Sequence, residues 1–147
     1  MNEPLKFRGF NYKQKKLVTG YYFVNRGRHF IANDELVSLA AQADDFAVDP
    51  VTVGMSTGRV DANGREIFEF DILAPAFHPL SRLRYAVRFD RGCSVFVAVA
   101  AGRITGPHIS LWRLLEREPM AVVGDITTTP EVFNKGRGNY GYPPGDL

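Results

Sequence analysis

Apolar and polar positions alternate over short runs punctuated by Gly, Pro and Asn, and this pattern predicts a chain built mostly of β-strands. Residues 5–10 read as a short first strand. Residues 17–24 read as a second, rich in β-formers (Val18, Tyr21, Tyr22, Phe23 and Val24), with Gly20 marking a bulge or a close backbone approach. Polar turns are expected at 11–16 and 25–28, and residues 29–32 return as a third strand. Leu36, Leu39, Ala40 and Ala43 recur at helical spacing behind a capping Asn33 or Asp34, which predicts one short helix over 34–43.

The clearest local signal is residues 57–72, TGRVDANGREIFEFDI. Asn63-Gly64 between extended flanks predicts a hairpin with a two-residue turn of the primed type, to which Asp61 adds a side-chain bond. Ile67 and Phe68 are adjacent, whereas Phe70 and Ile72 alternate. A strand cannot switch faces without a bulge or bend, expected near Glu69. Residues 74–81 read as a loop containing Pro75 and Pro79. Residues 84–90 form a clean alternating strand, with Tyr85, Val87 and Phe89 on one face. Residues 93–101 have almost no polar side chain beyond Ser94, as expected of a strand buried on both faces, one of them covered by another subunit. Residues 108–115 suit a strand or one turn of helix, and 119–126 a last strand. Residues 134–147, with Gly136, Gly138, Gly141, Gly145, Pro143, Pro144, Tyr140 and Tyr142, carry too little apolar surface to order alone and read as a flexible tail.

Several of these stretches resemble the YopX-like family of phage and prophage proteins. The similarity lies in Thr52-Val53-Gly54-Met55-Ser56-Thr57-Gly58, in Asp61, Asn63, Gly64, Arg65, Glu66, Ile67, Phe68, Glu69, Asp71 and Ile72, and in Val122-Val123-Gly124-Asp125-Ile126 followed by Thr129-Pro130-Glu131. The opening Lys6-Phe7-Arg8-Gly9-Phe10 and Gly20-Tyr21-Tyr22 are also similar to the family's start. Met55 stands where the family usually has Gln, and Phe70 where it usually has Gly. The resemblance implies a small SH3-like β-barrel over residues 1–133, a tendency to assemble into homo-oligomers, and a setting in the cytoplasm of an infected or lysogenic bacterium. It implies structural parts for Gly54, Gly58, Asp61, Asn63, Gly64, Asp71 and Gly124, and it brings no catalytic residue.

Composition is that of an ordinary soluble domain, with 45% hydrophobic and 23% charged residues and a net charge of +2. The charge is uneven. Lys6, Arg8, Lys13, Lys15, Lys16, Arg26 and Arg28 precede residue 29, whereas Asp34, Glu35, Asp44, Asp45 and Asp49 follow with no Lys or Arg among them. One reading is two solvated surfaces that face each other; the sharper one is a basic binding face. Cys93 is alone and fits a reducing compartment, and its apolar context suggests burial. No run is apolar and long enough to span a membrane.

Little in the chain points to catalysis, and no enzyme activity is expected. His29, His78 and His108 are dispersed and have no partner at metal-ligand spacing, so neither a metal nor a cofactor is expected. Glu66, Glu69 and Asp71 cluster on a hairpin strand, where acids usually make its wet face, and Asp71 is placed to bond backbone amides at the bend. Trp112 suits core or interface. The expectation is a non-catalytic binding protein that acts on a host or viral partner, for example a host defence component. The alternative is a nucleic-acid-binding barrel using Lys13, Lys15, Lys16, Arg26 and Arg28 with Tyr12 and Tyr21 as stacking rings. Against it stands a structural reading, with the tyrosines in the core and the lysines guarding an edge strand.

Overall fold

The computed structural model describes residues 5–32, 43–102 and 108–135. The helix expected over 34–43 and most of the 134–147 tail lie outside them. The chain divides into two compact units, Met1–Ser56 and Thr57–Leu147.

In the first unit β1 (Phe7–Asn11) pairs antiparallel with β2 (Lys16–Asn25), and β2 with β3 (Arg28–Ala32). The other side of β1 pairs with the beginning of β4 (Val48–Val60), which runs on into the second unit. Strand β2 therefore lies between two neighbours and is not an edge strand. The β2–β3 connection is the two-residue primed turn, with Arg26 and Gly27 at φ 51° and 76°. Gly9 is needed for packing: a Cβ there would stand 3.0 Å from Ile31 Cδ1 and 3.2 Å from Val53 Cγ2. Opposite Gly9 the β1–β4 register shifts. Pro50, which has no N–H to offer a ladder, sits in that excursion, and Thr52 Oγ1 takes the Phe10 N–H at 2.8 Å.

The second unit holds the sheet β10-β6-β7-β8-β9, made of β6 (Asp71–Pro75), β7 (Tyr85–Asp90), β8 (Val95–Ala100), β9 (Ile109–Ser110) and β10 (Met120–Asp125). Every residue of β6 is buried, as its apolar run and central place require. Helix α1 (Leu111–Arg117) lays Leu111 and Leu114 on a core of Ile67, Leu73, Tyr85, Val87, Ala98 and Met120. Each fully buried Leu, Ile or Val side chain contributes about 1.5–3 kcal/mol. The helix ends at Glu118, which is extended (φ −157°, ψ 153°) because the following proline disfavours the helical region. A short helix α2 (Pro130–Asn134) starts on Pro130, where a missing N–H costs nothing.

The expectation of a mostly β chain holds, but the strands form two open antiparallel sheets and no closed SH3-like barrel. Strand β3 meets the segment ahead of β4 at a single bridge, Phe30–Ala47, and not along a ladder. Strand β9 is two residues long and gives way at once to α1.

Candidate functional site

The hairpin after β4 is not the expected two-residue turn. Gly64 has φ 81°, but Asn63 is not in the positive-φ region. Asp61 N–H donates to Arg65 O at 2.8 Å and Gly64 N–H to Asp61 O at 3.0 Å, which makes a three-residue loop closed by a glycine bulge. Strand β5 (Glu66–Phe68) follows it. The Asp61 carboxylate, 6% exposed, joins three segments. Its Oδ1 accepts from Asn63 N and Arg65 N, both at 2.9 Å, and its Oδ2 accepts from Val122 N at 2.9 Å. Burial works to raise its pKa, yet the backbone donors and the nearby Arg65 charge outweigh that, and the net direction is down.

The other motif residues also sit where they shape the local backbone. Asp71 Oδ2 accepts from Phe68 N at 2.8 Å and so holds the bend expected near Glu69. Phe70 within that bend has φ 79°, a conformation suited to the glycine it replaces. Gly58 breaks β4 at φ 74°, and Gly54 pairs with Arg8. Gly124 lies at a register shift in β10, and a Cβ there would stand 2.4 Å from Thr129 Oγ1. That hydroxyl accepts from Asp125 N at 2.9 Å and donates to Asp125 O at 3.1 Å, while Asp125 Oδ1 takes Thr128 N at 2.7 Å.

The basic candidates are only partly brought together. Lys13 and Lys15 lie in the β1–β2 turn, Lys16 opens β2, Arg26 lies in the β2–β3 turn and Arg28 opens β3. The acidic block faces them: Lys13 pairs with Asp45, and Arg28 Nη2 donates to Asp44 Oδ1 at 2.7 Å. Both acids lie in the 3-10 turn Ala43–Phe46, so the reading of two opposed charged surfaces holds here. The Asp45 hydrogen bond and charge raise the Lys13 pKa. Among the described residues Lys15, Lys16 and Arg26 make no ion pair. Tyr12 (54% exposed) and Tyr21 (40%) are not core residues, a correction to the structural reading of the tyrosines. Only Tyr22 turns inward, with its hydroxyl on His29 Nδ1 and its ring 5.3 Å from that of Phe7.

Two further expectations are corrected. Cys93 is exposed, because the apolar run begins only at Val95 and Cys93 belongs to the preceding turn, where its N–H contacts Asp90 Oδ1 at 3.4 Å. Trp112, expected in the core or at an interface, is 46% exposed on the outer side of α1, so of those two places only the core is ruled out. Among the described residues no group of three or more His, Cys, Asp or Glu is placed to hold a metal ion.

The strongest surface feature was not singled out in the sequence. The connection between β6 and β7 displays Leu80 and Phe77, 95% and 72% exposed. With Pro75, His78, Pro79, Ser81, Leu83 and Glu118 they border an open concavity of about 560 Å³. The loop is braced: Ala76 N–H donates to Pro119 O at 2.9 Å, Ser81 N–H to His78 O at 2.9 Å, and Arg84 Nη1 to Leu83 O at 2.7 Å. The available signal was two large apolar residues in a loop between strands, where polar residues are usual.

The sequence model of the family described as YopX protein matches residues 6–134. The chain belongs to the YopX family. The match takes in both units and all the motif residues described above. A solved structure similar in fold is that of the protein EF1440 from Enterococcus faecalis, at 21% identity and a TM-score of 0.51, covering 88% of this chain and 98% of that one. No curated protein matches the sequence. No helix among the described residues is long and apolar enough to cross a membrane.

Proposed function

We propose that this YopX-family chain is a non-catalytic binding protein, of the phage or prophage type, that occupies a host or viral protein through its β6–β7 loop. The observation that carries the reading is the exposure of Leu80 and Phe77 on a hydrogen-bonded loop. Large apolar side chains held ready in one geometry lose little conformational freedom on binding, and such residues supply the centre of an interface. The strand edges are poorer candidates. The outer side of β10 is already engaged by Ala62 N–H on Met120 O and by Asp61 on Val122 N, which leaves little backbone for an added strand. The working setting is the bacterial cytoplasm and the working form a homo-oligomer. The apolar β8 run, with Val95 39% exposed, supports the latter.

The test is affinity capture from bacterial and phage-infected lysates with the full chain and its Leu80→Asp and Phe77→Ser variants. The expected result is a defined partner, captured by the wild type and lost with both variants while their circular dichroism is unchanged. Capture that survives both substitutions rejects the reading. The second reading, nucleic-acid binding, rests on Lys15, Lys16 and Arg26, which make no ion pair among the described residues, together with the exposed Tyr12 and Tyr21. It requires binding to single-stranded DNA or RNA that falls steeply with salt and is lost when those three cations are replaced by Gln.

A further inference from the structure

We propose that a concavity along the first half of β2 is a subsite for one nucleotide, a flat base carrying a phosphate. The inference rests on the nucleic-acid reading above, from which it takes its ligand class, and it gives that ligand a defined seat.

The seat begins with an unequal pairing. Strand β2 has 10 residues, and β1 pairs with its first half, Lys16 to Gly20. Strand β3 pairs only with its second half, Tyr21 to Asn25. Alternate residues of an antiparallel strand turn both N–H and C=O to the same side. The side of Lys16–Thr19 away from β1 therefore carries backbone donor–acceptor pairs, and among the described residues no strand takes them. All four residues line a concavity of about 310 Å³. Successive side chains of a strand point to opposite faces, so a space bordered by four residues in a row is bordered by their backbone as well. It equals roughly ten waters in volume, enough for a base and its sugar and too little for a folded partner. A base edge presents a donor beside an acceptor, as each such backbone residue does.

The remaining lining suits a ring. Ile31 is buried, and Val18 and Phe46 are half-buried. Asn11, which is 1% exposed, fixes the approach of Phe46: its Nδ2 donates to Asp45 O at 2.8 Å. Its Oδ1 accepts from Lys13 N at 3.0 Å and from Gln14 N at 2.8 Å, and so shapes the turn that brings Gln14 to the same space. An aromatic side chain held in this way loses little freedom when a base stacks on it.

Charge decides between a phosphate-bearing base and a neutral ring. Asp44 and Asp45, the acids just before Phe46, are paired with Arg28 and Lys13. Lys16 lines the concavity, and neither it nor the adjoining Lys15 makes an ion pair among the described residues. No carboxylate among those residues lines the space. Positive charge is thus left beside an apolar ring site, and a flat base with an anionic group answers both. Exposed Tyr12, in the same turn as Gln14 and Lys15, offers a stacking ring to the next base of a strand.

The experiment is two-dimensional amide NMR of the full chain, titrated separately with thymidine monophosphate, a short oligothymidylate, inorganic phosphate and an oligoglutamate peptide. The monophosphate is expected to shift the amides of Lys16–Thr19, Ile31 and Phe46. Its binding is expected to weaken on the order of fivefold in Lys16→Gln, and also in Phe46→Leu, with the rest of each spectrum in place. The same shifts with tighter binding of oligothymidylate support a subsite within a single-strand surface; equal binding supports free nucleotides as its ligand. Oligothymidylate that binds without moving these amides overturns the inference and leaves the nucleic-acid reading standing, whereas failure of both nucleotides to bind overturns the two together. Equal shifts from phosphate alone reduce the site to a surface charge, and shifts from the peptide in place of the nucleotides make it a seat for an added strand; either result overturns the inference.

Discussion

The side-chain Oδ2 of Asp61 accepts the backbone N–H of Val122 at 2.9 Å, across 61 positions of sequence. One carboxylate thus fixes the shape of a hairpin and attaches it to the outer strand of a sheet. Replacing Asp61 by Ala strands three backbone donors at a buried position. The expected loss is on the order of 3 kcal/mol, read as a lower urea midpoint with an unchanged slope.

The same group sets an acid limit. Its folded pKa lies below the ordinary carboxylate value of 3.8, so its contribution is complete above that value and is lost as pH falls through the folded pKa. The contribution of Asp61 to the urea midpoint should therefore not vary with pH through the neutral range. Below about pH 4 the wild type should fall faster than Asp61→Asn.

Gly124→Ala places a methyl group 2.4 Å from Thr129 Oγ1, an oxygen anchored on both sides to Asp125. Relief requires the turn to move, at an expected cost of about 2 kcal/mol or more. Thr129→Ala removes the obstructing oxygen. The double variant should therefore be more stable than the sum of the two single effects, a coupling readable from a thermal-melting cycle.

Phe70 has φ 79°, which is unfavourable for any side chain and worst for a β-branched one. Phe70→Gly loses part of a half-buried ring but relieves the backbone, and the net change should stay within about 1 kcal/mol. Phe70→Val keeps more apolar surface and should nevertheless be the less stable variant. The opposite order in melting temperature would refute the strain argument.

At the β2–β3 turn, Arg26 precedes Gly27 with both residues at positive φ. Arg26→Asn supplies the pair this turn prefers and should raise stability by about 0.5–1 kcal/mol, a rise of a few degrees in melting temperature.

The strands were legible because β-branched and aromatic residues alternate, and Phe70 betrayed a bend because the apolar face switches after Phe68. The turn at Asn63-Gly64 was placed correctly but given the wrong geometry. Its dipeptide signals a two-residue loop, whereas the ladder closes one step earlier, at Asp61 and Arg65, where Asp61 is also tied to Val122. The tighter turn fell at Arg26-Gly27, inside the turn expected over 25–28, where Arg and not Asn stands before the glycine. Lys13 and Arg28 looked like parts of one basic face because sequence order hides Asp44 and Asp45, which fold back to meet them. The exposure of Cys93, Tyr12 and Tyr21 was misjudged for a related reason: residue type reports hydrophobicity, but Cys93 and Tyr12 fall in turns and Tyr21 at an exposed position within β2.

The pairing of β6 with β10 also sets an order of events during synthesis. Strand β6, buried along its whole length, leaves the ribosome about 50 residues before β10, at typical rates roughly 3–10 s earlier. Throughout that interval Ile72, Leu73 and Ala74 have no β10 beside them, and the hairpin at Asp61 has no Val122 to hold. The β1–β2–β3 hairpins, whose paired residues lie no more than 13 positions apart, need no such wait. The nascent chain is therefore most exposed to chaperones and proteases while its best-packed strand is still waiting for a neighbour.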